Sequence, residues 1–259
     1  MKRLILLVML SACNGKMAKK DIAPTPTWAT EDGRTQAKLE LAEALLSNGN
    51  PEAALQMLAQ LQEQGSRNTN LLVVQGRALS AMGLSDEAEK VFLQASRRSP
   101  SNVDAQNQLG ILYLDRKETE SAIKRFRAAA RSAPKDAQVH NNYGFALMAA
   151  GRHEEAVEIL RKALMLDGSQ ERTRNNLGFS LAAIGSDKAA WRVLRAGSND
   201  ASARYNLALG QELRGDIDSA VKSYKQALEA NPDMTEASEA ISRLSSATTP
   251  AVSSTEQEK

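Results

Sequence analysis

The feature that most constrains this chain is a period of 34 residues. Gly76, Gly110, Gly144 and Gly178 follow one another at this interval, and Ala42 stands one period before the first of them. Twelve residues after each of these positions the chain has an alanine: Ala54, Ala88, Ala122, Ala156 and Ala190. Five starts at residues 35, 69, 103, 137 and 171 indicate an array of repeats in which each unit packs mainly on its neighbours.

Each period contains two segments with helical spacing of apolar residues. In residues 137–170, Gly144 lies on the apolar face of the first segment, while Ala156 and Leu160 lie on the apolar face of the second. Gly151 separates the two segments. Small residues at Gly144 and Ala156 predict two helices that cross too closely to admit a bulky side chain.

This pattern resembles the tetratricopeptide repeat, in which W-x2-L-G-x2-Y is followed by A-x3-F and a proline over 34 residues. The aromatic position of the second helix is Phe92 and Phe126, and the terminating proline is Pro100, Pro134 and Pro232. The resemblance implies an all-α solenoid, a right-handed superhelix of about six helix-turn-helix repeats with a capping helix.

The sequence predicts four segments, of which the array is the third. They are a lipoprotein signal peptide at 1–12, an acylated cysteine and flexible tether at 13–33, the array at 34–245, and a disordered tail at 246–259. The predicted repeats are 35–68, 69–102, 103–136, 137–170, 171–200 and 201–234, followed by the capping helix at 235–245. The fifth repeat is short, because Gly178 and its counterpart Ala208 are 30 residues apart. We therefore expect its second helix to lose about one turn.

The first residues resemble a bacterial lipoprotein signal. Lys2 and Arg3 precede a short apolar run, and the segment 10–13 reads Leu-Ser-Ala-Cys, as in a lipobox. The run is too short to span a bilayer. Cys13, the one cysteine of the chain, would then be the acylated first residue of the mature protein, and the alternative is an ordinary signal with an incidental cysteine. Asn14, which follows it, implies delivery to the periplasmic face of an outer membrane.

Charge gives no reason to expect a nucleic-acid partner. The chain has 33 basic and 31 acidic residues, and removal of Lys2 and Arg3 with the signal would leave equal numbers. A neutral, mixed-charge chain lacks the basic excess of nucleic-acid-binding proteins. The acyl chains at Cys13 would hold the protein on the membrane as an anchor.

The sequence also predicts no enzyme, metal or cofactor. The two histidines, His140 and His153, have no ligand set at metal-binding spacing. No phosphate-binding loop, nucleophile elbow or dinucleotide fingerprint is present. The adjacent carboxylates Glu154 and Glu155 point about 100° apart on a helix, which is typical of a solvated first turn.

In the tetratricopeptide family, positions 2, 5, 9 and 12 of each first helix line a concave groove. The resemblance places a peptide-binding site at Asn70, Arg77, Asn107, Ile111, Asn141, Phe145, Met148, Asn175, Phe179 and Tyr205. The scattered basic residues do not resemble the carboxylate clamp of chaperone-binding members.

Two readings of the asparagines in this row are open. Asn107, Asn141 and Asn175 occupy position 5 of three successive repeats, and carboxamides can both donate to and accept from a peptide backbone. Alternatively, asparagines bond to adjacent repeats and brace the superhelix. We favour ligand contact for position 5 and weigh the two readings equally for position 6, which is Asn142, Asn176 and Asn206. Phenylalanine at Phe145 and Phe179 favours a groove.

A lipobox followed by six such repeats resembles the tight-adherence (Flp) pilus lipoproteins, TadD-like, and the type IV pilus pilotins. The phrases that carry the resemblance are NNYGFALMAAGRHEEAVEIL, RNNLGFSLAAIG and ARYNLALGQELRGDIDSAV. The resemblance implies a scaffold that helps a secretin, or another pilus or secretion component, assemble at the outer membrane. The alternative is an adaptor lipoprotein that regulates cell-wall enzymes.

Overall fold

The computed structural model describes residues 31–65 and 68–248, and these residues form thirteen helices and no strand. The helices are α1 (Glu31–Ser47), α2 (Pro51–Glu63), α3 (Thr69–Ala81), α4 (Ser85–Arg98), α5 (Val103–Asp115), α6 (Thr119–Ser132), α7 (Ala137–Ala149), α8 (His153–Leu166), α9 (Glu171–Ala183), α10 (Asp187–Arg195), α11 (Asp200–Leu213), α12 (Ile217–Ala230) and α13 (Thr235–Thr248). Six antiparallel pairs followed by a single helix confirm the all-α repeat solenoid.

The ends of the array extend beyond the predicted bounds. Helix α1 starts at Glu31, three residues before the expected start of the array, and α13 continues to Thr248. Glu31 and Thr248 are also the outer limits of the described residues.

Asparagine and aspartate set the starts of several first helices. The Oδ1 atoms of Asn68, Asn102, Asp136 and Asn199 accept hydrogen bonds from backbone N–H groups in the first turns of α3, α5, α7 and α11. A side chain of this kind satisfies a helix N–H that has no partner inside the helix. The caps fix where each repeat begins, and so keep the first helices in register.

Glycine is required where the two helices of a repeat cross. A Cβ atom added at Gly144 would lie 2.5 Å from Cγ of Leu160, and one added at Gly178 would lie 2.3 Å from Cγ of Leu194. At Gly76 the obstacle is the ring of Phe92, at 2.4 Å. The apolar side chain of the second helix therefore fills the space that the glycine leaves, as the sequence predicts.

The turn of the third repeat is made by a residue that is not glycine. Lys117 has φ 61°, whereas glycines make the matching turns elsewhere, for example Gly83 at 77° and Gly151 at 73°. A side chain in this left-handed region costs about 1–2 kcal/mol relative to right-handed geometry. Lys117 therefore stores strain in an otherwise regular array.

The fifth repeat is the irregular one. Its second helix, α10, has nine residues, while the other second helices have 13 or 14. Next to it α11 closely approaches α9 at Gly210. A Cβ atom added at Gly210 would lie 2.4 Å from Cβ of Ala182 and 2.8 Å from the carbonyl oxygen of Phe179. Trp191 lies under the guanidinium of Arg204, whose Cζ is 4.6 Å from the ring centroid.

Some predictions fall outside the described residues. These are the signal peptide, the lipid attachment at Cys13, the tether up to residue 30, and the tail from residue 249 onward. Of the helices that the structure does describe, none combines the length and apolar character that crossing a bilayer requires.

Candidate functional site

The first helices present a row of apolar side chains at position 9. Ile111 and Phe145 stand one repeat period apart on α5 and α7, and they are 38% and 47% exposed. Phe179 continues the row on α9, where it is half-buried. Large apolar side chains exposed in one line are the feature expected of a binding groove, since each gains free energy when a ligand covers it.

Asparagine pairs connect the repeats beside this row. Nδ2 of Asn142 donates to Oδ1 of Asn107 at 2.9 Å, and Nδ2 of Asn176 donates to Oδ1 of Asn141 at 3.1 Å. In both pairs a position-6 amide reaches back to the position-5 carbonyl of the preceding repeat. These two pairs therefore form a ladder that braces the adjacent first helices α5, α7 and α9.

Asn141 is a correction to the predicted groove. It is 2% exposed, and its Oδ1 also accepts a hydrogen bond from Oγ1 of Thr173 at 3.2 Å. Because the side chain is buried and its acceptor has two donors, it braces the fourth and fifth repeats in this structure and does not line an open surface. Asn107 remains half-buried.

Asn70 and Asn175 also have neighbours within the array. Asn102 donates to Oδ1 of Asn70 at 3.2 Å, and Oγ of Ser198 donates to Oδ1 of Asn175 at 3.2 Å. Asn70 is nevertheless exposed. An exposed carboxamide keeps hydrogen-bonding capacity that a ligand could use, so ligand contact at this position stays a prediction.

The remaining predicted groove residues all contact other side chains of the array. Arg77 is 3.6 Å from a carboxylate oxygen of Glu43 on the first repeat. Met148 is half-buried against the core. Tyr205 packs on the ring of Tyr224, with 5.6 Å between the centroids, in the cluster beneath the last helix.

Phe179 has a packing role that the sequence does not predict. Its ring meets the ring of His153 edge-on, with 5.8 Å between the centroids. Phe145 is therefore the aromatic side chain of the row with the most surface free for a ligand. Ile111, one repeat earlier, extends that surface.

The histidines do not form a reactive set. Burial lowers the pKa of both His140 and His153, so each favours the neutral form. His140 bonds through Nε2 to the carbonyl oxygen of Pro134 at 3.1 Å. Within residues 31–65 and 68–248, no three His, Cys, Asp or Glu side chains cluster closely enough to hold a metal ion.

Sequence reasoning missed the partners of the predicted groove asparagines. The side chains of Asn102, Thr173 and Ser198 donate hydrogen bonds to Asn70, Asn141 and Asn175, respectively. The repeat pattern gives none of these three donors a role. The constant separation within the pairs Asn107–Asn142 and Asn141–Asn176, one repeat period plus one residue, was a usable signal, since it places both side chains on facing first helices.

The stacked helix pairs form a repeat scaffold, and the candidate binding residues lie on its exposed surface. Models described as tetratricopeptide repeat match residues 73–124, 108–171, 188–235 and 35–60, which together cover more than half of the chain. The chain belongs to the tetratricopeptide repeat family, a family of protein-interaction scaffolds.

Solved structures share the fold at low sequence identity. A structure described as MamA 41-end from Desulfovibrio magneticus RS-1 is 23% identical, with a TM-score of 0.55 over 71% of this chain and 97% of the other. YrrB, described as a TPR protein with an unusual peptide-binding site, is 19% identical, with a TM-score of 0.59 over 71% and 96%. Curated protein sequences give no significant match.

Proposed function

We propose that this chain is a peptide-binding scaffold lipoprotein without enzymatic activity, which assists assembly or localisation of a pilus or secretion secretin. The observation that carries the proposal is the exposed row at Ile111 and Phe145 on successive first helices of an interaction scaffold. The peptide-binding site named for YrrB, a protein of the same fold, supports this use of the surface. The lipobox at Cys13 supports an envelope location.

In this proposal a partner segment lies across the third to fifth repeats. Its apolar side chains cover Ile111 and Phe145, and the half-buried amides of Asn107 and Asn175 bond to its backbone. The acyl chains at Cys13 keep the complex at the periplasmic face of the outer membrane. The phrases shared with TadD-like lipoproteins favour a secretin as the partner.

A cell-wall adaptor is the second candidate. The same scaffold and anchor would serve to recruit peptidoglycan enzymes, and the exposed apolar row suits either partner. The two functions differ in phenotype, because one affects pili and the other affects cell shape and muropeptides.

The groove predicts a selective loss of binding. Phe145→Ala combined with Ile111→Ala should weaken capture of the partner at least tenfold, because two apolar contacts are removed from the interface. Leu213→Ala is the matched control, since Leu213 is also apolar and exposed but lies at the end of α11, in the sixth repeat. Pull-down from solubilised envelope with quantitative mass spectrometry measures the effect. Undiminished capture by the double variant would exclude this row as the site.

The anchor predicts a loss of localisation. Cys13→Ser should prevent acylation and remove the protein from the outer-membrane fraction.

Deletion of the gene should reduce heat-resistant secretin multimers and surface pili without changing secretin transcript. Complementation with wild type, but not with Cys13→Ser, should restore them. Normal multimers and pili with altered muropeptides would instead support the cell-wall adaptor.

A further inference from the structure

The outer faces of the second helices carry basic side chains that the groove does not use. Lys90 and Lys124 occupy the same position of α4 and α6, one repeat period apart, and Arg192 and Lys222 occupy it on α10 and α12. Two further positions, three and seven residues later, add to the row. This outer basic stripe comprises Lys90, Arg97, Lys124, Arg127, Arg131, Arg161, Arg192, Arg195, Lys222 and Lys225, all of them exposed.

Helical spacing directs these side chains to one face. On α6, Lys124, Arg127 and Arg131 follow at i, i+3 and i+7, which places them on a common side of the helix. Phe126 and Ala129 occupy the opposite, buried side. Because the repeats stack in register, the same side of the second helices α4, α6, α8, α10 and α12 contributes to one continuous surface.

Most of the stripe lacks a carboxylate partner. Arg161 has Glu158 at 3.9 Å, and Arg195 has Asp200 at 3.7 Å. Arg127 donates to the hydroxyl of Tyr143. In the described part of the chain, the other seven members have no carboxylate oxygen within 4.0 Å.

Acidic residues lie mainly at the other end of the same helices. The first turns carry Asp86, Glu120, Glu154 and Asp218, where carboxylates interact favourably with the positive end of the helix dipole. Inside the stripe the exceptions are Glu158 and Glu229. The near-neutral net charge of the chain thus conceals a separation of charge along α4, α6, α8 and α10.

Two exposed apolar side chains lie beside the outer basic stripe. Met165 is 86% exposed and Leu166 is 39% exposed at the end of α8. Met165 takes the position that Arg131 holds one repeat earlier. Basic residues of α6 and α10 therefore flank a pair of large apolar side chains in the central part of the array.

We propose that the outer basic stripe docks on an anionic phospholipid surface, with Met165 and Leu166 entering the headgroup boundary. Basic side chains gain from the negative surface potential of such a membrane, and apolar side chains gain from burial at the edge of the acyl region. A rigid polyanion such as nucleic acid would satisfy the cations but would leave Met165 without an apolar environment. Lipid therefore accounts for both features. The inference is independent of what the groove binds.

Vesicle flotation tests the docking surface. The full chain carrying Cys13→Ser is mixed with vesicles of phosphatidylcholine alone, or with vesicles of three parts phosphatidylcholine to one part phosphatidylglycerol. Any contribution of residues 1–12 is the same for every variant, so the change in the ratio of the two affinities from one variant to the next reports the stripe. Each basic residue near the surface is worth about fivefold. Lys124→Gln, Arg131→Gln and Arg192→Gln together should reduce this ratio roughly 100-fold.

The matched control removes three basic residues from first helices and turns, by Lys38→Gln, Lys117→Gln and Arg172→Gln. It should change the ratio much less. Binding of the parent protein to the anionic vesicles should fall steeply as the salt concentration rises. At a fixed salt concentration, Met165→Gln should bind these vesicles more weakly than the parent protein. Equal binding to both vesicle types, or equal loss in the two triple variants, would overturn the proposal. The proposal would also be overturned if the parent protein bound heparin but not anionic vesicles, and if Met165→Gln left that heparin binding unchanged.

Discussion

Replacement of Gly144 by leucine is expected to destabilise the central repeats by about 3 kcal/mol or more, the upper end of overpacking costs. Even the first added carbon would lie 2.5 Å from Cγ of Leu160 and 2.6 Å from its Cδ2, well inside van der Waals contact. Leu160 is itself fully buried, so neighbouring side chains oppose its displacement. Because neighbouring repeats share faces, the thermal melt followed by circular dichroism should broaden or split.

Two comparisons isolate the close crossing as the cause. Gly168→Leu is the matched control, because a Cβ there would meet only the carbonyl oxygen of Leu164 at 3.7 Å, and its melt should be nearly unchanged. The pair Gly144→Ala and Leu160→Ala gives a double-mutant cycle. Gly144→Ala should destabilise wild type but stabilise the Leu160→Ala background, where the cavity accepts the methyl group and helix propensity adds about 1 kcal/mol. Additive effects would mean that the two residues do not compete for space.

The repeat period predicted the fold well because it reports packing directly. Glycine at Gly144 and a large residue on the facing helix, Leu160, are a complementary pair, and the structure places them in that relation. The short fifth repeat was also visible, since a change in spacing between equivalent residues needs no knowledge of side-chain contacts.

The groove was harder to predict, because repeat position does not determine exposure. Asn141 and Asn107 share position 5, yet Asn141 is buried while Asn107 is half-buried. The difference depends on neighbours in the next repeat, including Thr173. Similarly, Phe145 and Phe179 share position 9, but Phe179 meets His153. Such contacts depend on residues outside the shared pattern.

Arg214 connects the short fifth repeat to the sixth. Its guanidinium donates to the carbonyl oxygen of Ala182 at 2.6 Å, to Asp187 at 2.5 Å and to Asp216 at 2.7 Å. These groups lie on α9, at the start of α10, and in the turn after α11. Gln211 donates to the same carboxylate of Asp187 at 2.7 Å. One side chain therefore connects three elements beside α10, the second helix with nine residues.

We expect Arg214→Leu to destabilise the protein by about 2 kcal/mol at pH 7, since it leaves two carboxylates without their shared cation. This value is below the roughly 3–5 kcal/mol for a fully buried pair because the groups are partly exposed. Arg214→Lys should recover part of the loss, because it keeps the charge but not the planar fork. Arg161→Leu is the surface control, where the pair with Glu158 spans 3.9 Å and should contribute little.

The same site predicts the direction of the pH dependence. The hydrogen bond from Arg214 holds the pKa of Asp187 below its ordinary value, and that of Asp216 likewise. A carboxyl group with a lowered folded pKa binds fewer protons when folded, so its stabilisation is complete above its unfolded pKa of about 3.9. That stabilisation is lost as pH falls through the folded pKa. The difference in melting temperature between wild type and Arg214→Leu should therefore be full at pH 7 and shrink below about pH 4. A difference that stayed constant down to pH 2 would show that Arg214 acts through packing alone.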